Sequence, residues 1–380
     1  MNRRTRLVLL VVGATLLVVL GVGAVLVAGG EDAVHTGVRF VPQPPPATPG
    51  DDLAWWAPVH GEPLGVAVDG PDVAAAALDE VRLLDLDGGR TRWKAPVPGV
   101  RRYRPALAVD RVVATGETEM VVLDRSDGAR VAAVPFVGPG PSALVTTPGG
   151  RRVALAGSET GQLLAADAGD GTVLWTAEHP GEIATAPRIV GSTVVAVWHE
   201  VGGSTLRALD AESGAPRWET PLGVVAGAPA VADGLVVVAH GEGIHAAAVH
   251  GIDAATGAER WQTPLAGWWD VALEPATGGG RVYLLDGMGT VVALDPASGA
   301  VAWHTETGRP LVDGHLALTP DAVVFASYED ELMVLDRADG RLRAAEPQRG
   351  VPVDVAAAAD RLVVALRLAS PSRVEARPVP

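Results

Sequence analysis

One short pattern, Asp-x-x-x-Gly-x-x-x-Trp, returns along this chain at a nearly fixed interval, and that interval is the length of one four-stranded propeller blade. LRALDAESGAPRW carries Asp210, Gly214 and Trp218, and VHGIDAATGAERW carries Asp253, Gly257 and Trp261. Asp85 with Gly89 and Trp93, Asp167 with Gly171 and Trp175, and Asp295 with Gly299 and Trp303 keep all three positions. Asp124 with Gly128 and Asp336 with Gly340 keep the turn but place Ala132 and Ala344 where the tryptophan belongs. Successive aspartates of the seven copies are 39, 43, 43, 43, 42 and 41 residues apart.

Each motif residue has a structural reason. Asp can cap a chain reversal through an Asx-type bond, and Gly supplies the positive φ that a three- to five-residue hairpin loop needs. The tryptophan falls on the outermost strand, where its ring can fill the wedge between diverging blades. Apolar runs such as Val291 to Leu294 and Leu235 to Ala239 supply the inner strands, four per period. An eighth blade follows from the two ends. Trp55-Trp56-Ala-Pro-Val matches Trp93-Lys-Ala-Pro-Val, so the chain opens with an outer strand, while the C-terminal stretches Leu362 to Leu366 and Arg373 to Val379 lack one. Joining them completes the blade and removes two exposed sheet edges. Residues 53–380, shared over eight blades, give each about 41 residues, consistent with the period. The expected fold is therefore all-β: an eight-bladed propeller of four-stranded antiparallel blades, the last closed by the N-terminal strand.

Ahead of the propeller, residues 7–28 carry no charge and are rich in Leu and Val, long enough for a transmembrane helix across a hydrocarbon core of roughly 30 Å. Arg3, Arg4 and Arg6 precede it, and Glu31 and Asp32 follow it, which places residues 1–6 in the cytoplasm and the rest outside. A signal anchor is the expected reading. A cleaved signal peptide is the alternative, with Leu26-Val27-Ala28 a poor cleavage site. Residues 29–52 form a linker whose segment 41–50, Val-Pro-Gln-Pro-Pro-Pro-Ala-Thr-Pro-Gly, reads as a semi-rigid spacer because proline fixes φ and removes the backbone donor.

Charge and composition exclude several functions. The formal net charge is −15, and the arginines that offset it at the start belong to the cytoplasmic segment. Such a surface repels phosphate backbones, so no nucleic-acid partner is expected; a basic protein or cationic ligand suits it better. There is no cysteine, which excludes disulfides, a thiol nucleophile, zinc-thiolate sites and a lipobox.

The Asp-x-x-x-Gly-x-x-x-Trp copies over residues 53–380 closely resemble the repeat of the PQQ-binding quinoprotein family, which includes quinoprotein alcohol dehydrogenases and the propeller lipoprotein of the outer-membrane β-barrel assembly machinery. For a dehydrogenase, that resemblance implies PQQ with a calcium held by carboxylate and amide oxygens, a catalytic aspartate and often a vicinal cysteine pair. This chain departs from the pattern: it has no cysteine, its single asparagine is Asn2, and its blades lack long insertions. The expectation is no catalytic residue, no resident metal and no cofactor, and the resemblance carries fold rather than activity.

The motif residues are accounted for by folding, so function is expected in loops that vary between copies. Turns between second and third strands share a face with the connections between blades, and there they carry Asp79, Glu80, Glu117, Glu119, Glu159, Glu200, Glu242, Asp286 and Glu329 to Glu331. His199 and His240 occupy equivalent turns, with His245 and His250 nearby. Trp268, Trp269 and Asp270 lie in the connection from the fifth blade to the sixth, where a sister copy has Val225-Ala226-Gly227; paired aromatics there read either as a stacking or partner platform or as a plug of the channel. Arg101, Arg102, Tyr103 and Arg104 form a basic patch in the connection after the first blade, equally readable as solvated rim. The expected function is a non-catalytic, membrane-anchored, extracytoplasmic scaffold, monomeric and binding a protein partner. The alternative is a small-ligand sensor or carrier using the central funnel, and PQQ-dependent oxidoreduction is the third reading.

Overall fold

A computed structural model of the chain describes residues 53–379 except 60–62, 102, 242–247, 266–274, 312–314, 359 and 369–370. The proposed anchor at 7–28 and linker at 29–52 therefore lie outside the described residues. Among the described residues no helix is long and apolar enough to cross a membrane.

Eight antiparallel sheets follow one another along the chain. Blade 1, typical of them, runs from the innermost strand Pro63–Asp69 through Asp72–Ala77 and Glu80–Asp85 to the outermost Thr91–Pro96. Blades 2 to 7 repeat this order, with innermost strands at Ala106–Leu107, Ser142–Thr146, Arg188–Val190, Ala230–Ala232, Ala276–Gly278 and Ala317–Leu318. Blade 5 carries an additional short strand, Val225–Ala226, on the same neighbour as Ala230–Ala232. Blade 8 takes Val351–Ala358, Arg361–Arg367 and Ser372–Pro378 from the C-terminal end and its outer strand, Trp55–Val59, from the N-terminal end. That last pair is antiparallel with Trp55 opposite Ala376 and Val59 opposite Ser372. The ring closes as the matching ends of the sequence require.

Packing makes the ring continuous. The buried apolar residues form eight clusters, and each spans two neighbouring blades. Val153 and Leu155 of blade 3 pack with Val194 and Ala196 of blade 4, for example, and Val374 of blade 8 shares a cluster with Val66 and Val73 of blade 1. The second and third strands carry continuous buried apolar runs, such as residues 73–77, 120–123, 163–166 and 332–335, with polar residues at their ends, because neighbours cover them on both faces.

The motif works at two scales. Within a blade, the Asp carboxylate accepts backbone N–H groups two or three residues on, as in Gly88 N to Asp85 Oδ1 at 2.8 Å and Ser298 N to Asp295 Oδ1 at 2.9 Å. The glycine N–H then returns to the aspartate carbonyl, 2.8 Å in the Asp210 copy. Hydrogen bonds from Arg217 and Ser213 hold the Asp210 carboxyl down at about 2. In all seven copies the outer strand bulges by one residue just before the tryptophan position, so that Trp175 faces Ala165 while Val173 faces Ala166. A bulge sharpens strand twist, and here it turns the ring toward the next blade.

Between blades, each tryptophan lands on the next copy's glycine. Trp175 Nε1 donates to the Ala211 carbonyl at 3.0 Å, and its ring covers Gly214, whose φ is +69°. A Cβ at Gly214 would meet that ring at 2.6 Å. Trp93, Trp218, Trp261 and Trp303 make the same bond to Arg125, Ala254, Pro296 and Arg337. Trp55 makes it to Leu86 across the closure. In blade 2, where Ala132 replaces the tryptophan, a Cβ on Gly171 would meet the Ala132 methyl instead.

Candidate functional site

With the b and c strands of each blade denoting the second and third from the centre, the b–c turns and the blade-to-blade connections emerge on one face of the ring. Among the described residues six large apolar side chains stand exposed there: Leu78, Val201, Met288 and Tyr328 on b–c turns, and Val137 and Val224 on connections. Tyr328 is 65% exposed and Val201 fully so. Trp268, Trp269 and Asp270 belong to a connection on this face by sequence but lie outside the described residues, as do His245 and Arg102.

The acids of this face divide in two. Glu119 pairs with Arg130 at 2.7 Å, Glu329 and Glu331 flank Arg309 at 2.8 and 3.0 Å, and Glu80 pairs with Arg82. Asp286, completely buried, accepts the N–H groups of Met288 and Thr290 in its own turn. Glu117 and Glu159 are exposed.

The described histidines of the set, His199, His240 and His250, form no metal-holding group. His240 stacks on His250, ring centroids 4.1 Å apart, and His250 Nδ1 lies 2.7 Å from Glu259. Burial, then the neighbouring His250, pushes His240 down to about 4. His199, in blade 4, faces Ser204 Oγ at 3.2 Å and is shifted down by burial; its Nε2 is buried without a hydrogen-bond partner. Among the described residues there is no group of three or more His, Cys, Asp or Glu side chains able to hold a metal ion. The neighbouring Trp198, which the sequence left without a role, is the largest fully buried side chain among the described residues; it donates to the Gly161 carbonyl of blade 3 at 2.8 Å and lies beneath Arg207.

Arg104 is neither rim nor patch. It reaches from the connection after blade 1 to Asp354 on the innermost strand of blade 8, Nε to Oδ2 at 2.9 Å, and donates also to the Val355 carbonyl at 2.7 Å. The same carboxylate accepts Val66 N of blade 1 at 2.8 Å and lies 3.2 Å from His315 Nδ1, which precedes blade 7. Tyr103 is half-buried beside it in sequence. Burial alone would raise the Asp354 carboxyl, but the charges and hydrogen bonds of Arg104 and His315 outweigh it and hold it below the ordinary range. Next to this latch is a central cavity of about 300 Å³ lined by Ala67, Val68, Thr277, Leu318, Ala357 and Arg104.

These two environments give the fold an acid limb. Both groups have folded pKa values below their unfolded ones, so each contributes stability that is present above the unfolded pKa and lost as pH falls. The melting temperature should begin to drop below about pH 6.5, as His240 protonates on unfolding, and drop further below about pH 4, as Asp354 does. Asp354→Asn should flatten the lower part and cost about 3 kcal/mol at neutral pH, the low end for removing one partner of a buried pair, because the partly exposed Arg104 guanidinium retains some solvation. His240→Phe should flatten the upper part. Thermal melts of the three chains from pH 3 to 8 check both; unchanged limbs would refute the assignment.

The geometry defines a class: an eight-bladed propeller whose blades are locked by tryptophan docking on the neighbouring turn. The chain belongs to the PQQ-like propeller family whose sequence profile is described as outer membrane protein assembly factor BamB, which matches residues 78–219 and 202–374. It is 33% identical over 281 residues to the serine/threonine-protein kinase AfsK of Streptomyces coelicolor, an alignment covering 70% of this chain and 34% of the kinase. The match thus spans about a third of the kinase's length. Among solved structures, BamB from Moraxella catarrhalis aligns over 86% of this chain and 98% of its own with a TM-score of 0.63 at 18% identity. A europium-containing methanol dehydrogenase aligns over 82% of this chain and 84% of its own with a TM-score of 0.64 at 12% identity. At those identities the likeness is one of fold.

Proposed function

We propose that this chain is a non-catalytic binding scaffold: a propeller carried on a membrane anchor at residues 7–28, facing away from the cytoplasm, that docks a protein partner on the face of its b–c turns and blade connections. The observation that carries this is the gathering on one face of Leu78, Val137, Val201, Val224, Met288 and Tyr328, apolar side chains left in water with acids between them. Apolar residues exposed singly are common, but a partner spanning this face would cover six of them at once. The strongly patterned residues of the repeat are meanwhile occupied in holding blades together. Trp268 and Trp269 extend the same face by sequence and suit an aromatic hot spot. The family's relation to an assembly factor, and the resemblance to part of a kinase, are in keeping with a propeller that serves by binding. The central cavity beside Arg104 favours a second reading, a small ligand sensed in the funnel.

A photo-cross-linking side chain at Tyr328 should give a discrete adduct in native membranes, while the same group at Val109, exposed on the opposite face, should give none. Replacing Trp268 and Trp269 together with Ala should abolish the adduct and lower stability by less than loss of a single motif tryptophan. Adducts of equal yield from both faces would defeat the proposal, and a stability loss as large as that of Trp261→Ala would show the tryptophan pair to be core.

A further inference from the structure

The opposite face, built from the a–b and c–d turns, contains a cleft of about 440 Å³ between blades 6 and 7, lined by Arg281, Tyr283, Asp321, Asp336, Arg337 and Arg343 among others. Its meaning comes from comparing it with the same place between blades 1 and 2. Arg125 follows the motif aspartate of blade 2 as Arg337 follows that of blade 7. Blade 1 supplies both carboxylates that neutralise Arg125: Nε bonds Asp72 Oδ2 at 2.8 Å, and Nη1 bonds Asp69 Oδ2 at 2.6 Å. The ladder registers make Arg281 the counterpart of Asp72 and Gly278 the counterpart of Asp69. Both carboxylates that neutralise Arg125 are therefore missing around Arg337, one replaced by a second arginine and the other by glycine.

The two arginines are held in place without being neutralised. Arg337 donates through Nε to Tyr283 Oη at 3.1 Å and through Nη1 to the Thr319 carbonyl at 2.7 Å, and it lies 5.6 Å from the centre of the Tyr283 ring. Arg281 donates to the Ala338 carbonyl at 3.0 Å. Neither has a carboxylate within 4 Å among the described residues, whereas Arg343 already pairs with Asp321 and Asp336 at 2.8 and 2.7 Å. Nη2 of Arg337 points to the glycine turn, where a Cβ at Gly278 would meet it at 2.6 Å. Orienting a guanidinium with neutral acceptors while leaving one edge open is what recognition of an external carboxylate requires, because the planar fork matches that group bidentately. Asp321 and Asp336 also line the cleft, but both are committed to Arg343, so three guanidinium groups meet only two carboxylates there.

We propose that the cleft between blades 6 and 7 is a carboxylate-binding site in which Arg337 and Arg281 receive from a ligand the charge that Asp69 and Asp72 supply internally at Arg125. It lies on the other face from the partner surface proposed above and does not depend on it. The carboxylate belongs either to a small free acid or to an acidic segment of a protein, and the probes separate these.

Calorimetric titration of the full-length chain should show saturable, one-to-one binding of succinate or of an end-blocked tetraglutamate peptide. Arg337→Gln should weaken it at least tenfold. Gly278→Asp should do the same while raising the melting temperature, since it restores the internal partner; this distinguishes a filled site from a damaged fold. Arg151→Gln, on blade 3, should leave binding unchanged. Tetraglutamate binding at least tenfold tighter than succinate assigns the site to a protein segment, and the reverse assigns it to a free acid. No saturable binding of either probe, tighter binding of inorganic phosphate than of both, or wild-type affinity in Gly278→Asp would overturn the proposal.

Discussion

A chain that starts at Gly61 should melt roughly 10 °C below one that starts at Gly50, at about 2 °C for each kcal/mol in a domain of this size. The deleted segment contains the clasp of blade 8. Trp55, Ala57 and Val59 alternate inward and are all at least nine-tenths buried, while Trp56 and Pro58 face out. Burying that apolar area is worth about 5 kcal/mol. Its loss also strips the outer ladder from Ser372–Pro378 and leaves an unpaired edge on which a second chain can add. The shortened chain should therefore also sediment as oligomers. Equal melting temperatures would show that the ring does not depend on its closing strand.

Trp175→Ala should cost about 3 to 5 kcal/mol, the usual range for truncating a buried aromatic to alanine. Trp218 and Trp261, half-buried in place, should fall at the low end of that range. A reciprocal test lies in the glycine beneath the ring. Gly214→Ala should be severe in the native chain, since its Cβ would enter the Trp175 ring, but in the Trp175→Ala background it should cost only the left-handed backbone strain of about 1 to 2 kcal/mol. Strict additivity in a chemical-denaturation cycle would mean that ring and glycine do not touch. Whatever the folded fraction of these variants binds should be bound as before, because the tryptophans face neighbouring blades rather than solvent.

What could be read from the sequence was what repeats over short distances. Asp210, Gly214 and Trp218 sit within nine residues, so the turn chemistry and the blade period were both visible, and the matching WxAPV segments at Trp55 and Trp93 betrayed the closure. The destination of each tryptophan was hidden, because it docks about 35 residues further on, in a different copy of the motif. The outer-strand bulge was hidden as well, since the spacing from Gly to Trp is the same with or without it.

Candidate site residues were less legible for the same reason. Asp354 and Arg104 are 250 residues apart and meet only because the ring brings blade 8 beside blade 1; the one local signal was a carboxylate in the apolar run Val351–Ala358. Trp198 lacked the motif context that identified the other buried tryptophans. The unequal surroundings of Arg125 and Arg337 emerge only after the ladder registers say which residues correspond. The six exposed apolar side chains of the b–c face are single residues in six different loops, with no shared spacing to mark them.

The clasp also fixes the order in which the molecule can be finished. Seven blades are each made from a contiguous stretch of about 40 residues, and every sheet bond within them joins close neighbours in sequence. The eighth must wait for its two halves, since Trp55 has no strand to pair with until Ala376 has been synthesised. Contacts of such large sequence separation form late and slowly. The propeller strand made first is the last one placed, so throughout synthesis it is an apolar ribbon with an open edge, and the growing chain spends that interval most exposed to misassociation. Blade 8 is thus both a structural seam and a checkpoint: a ring interrupted anywhere before Ser372–Pro378 leaves its beginning unpaired as well as its end.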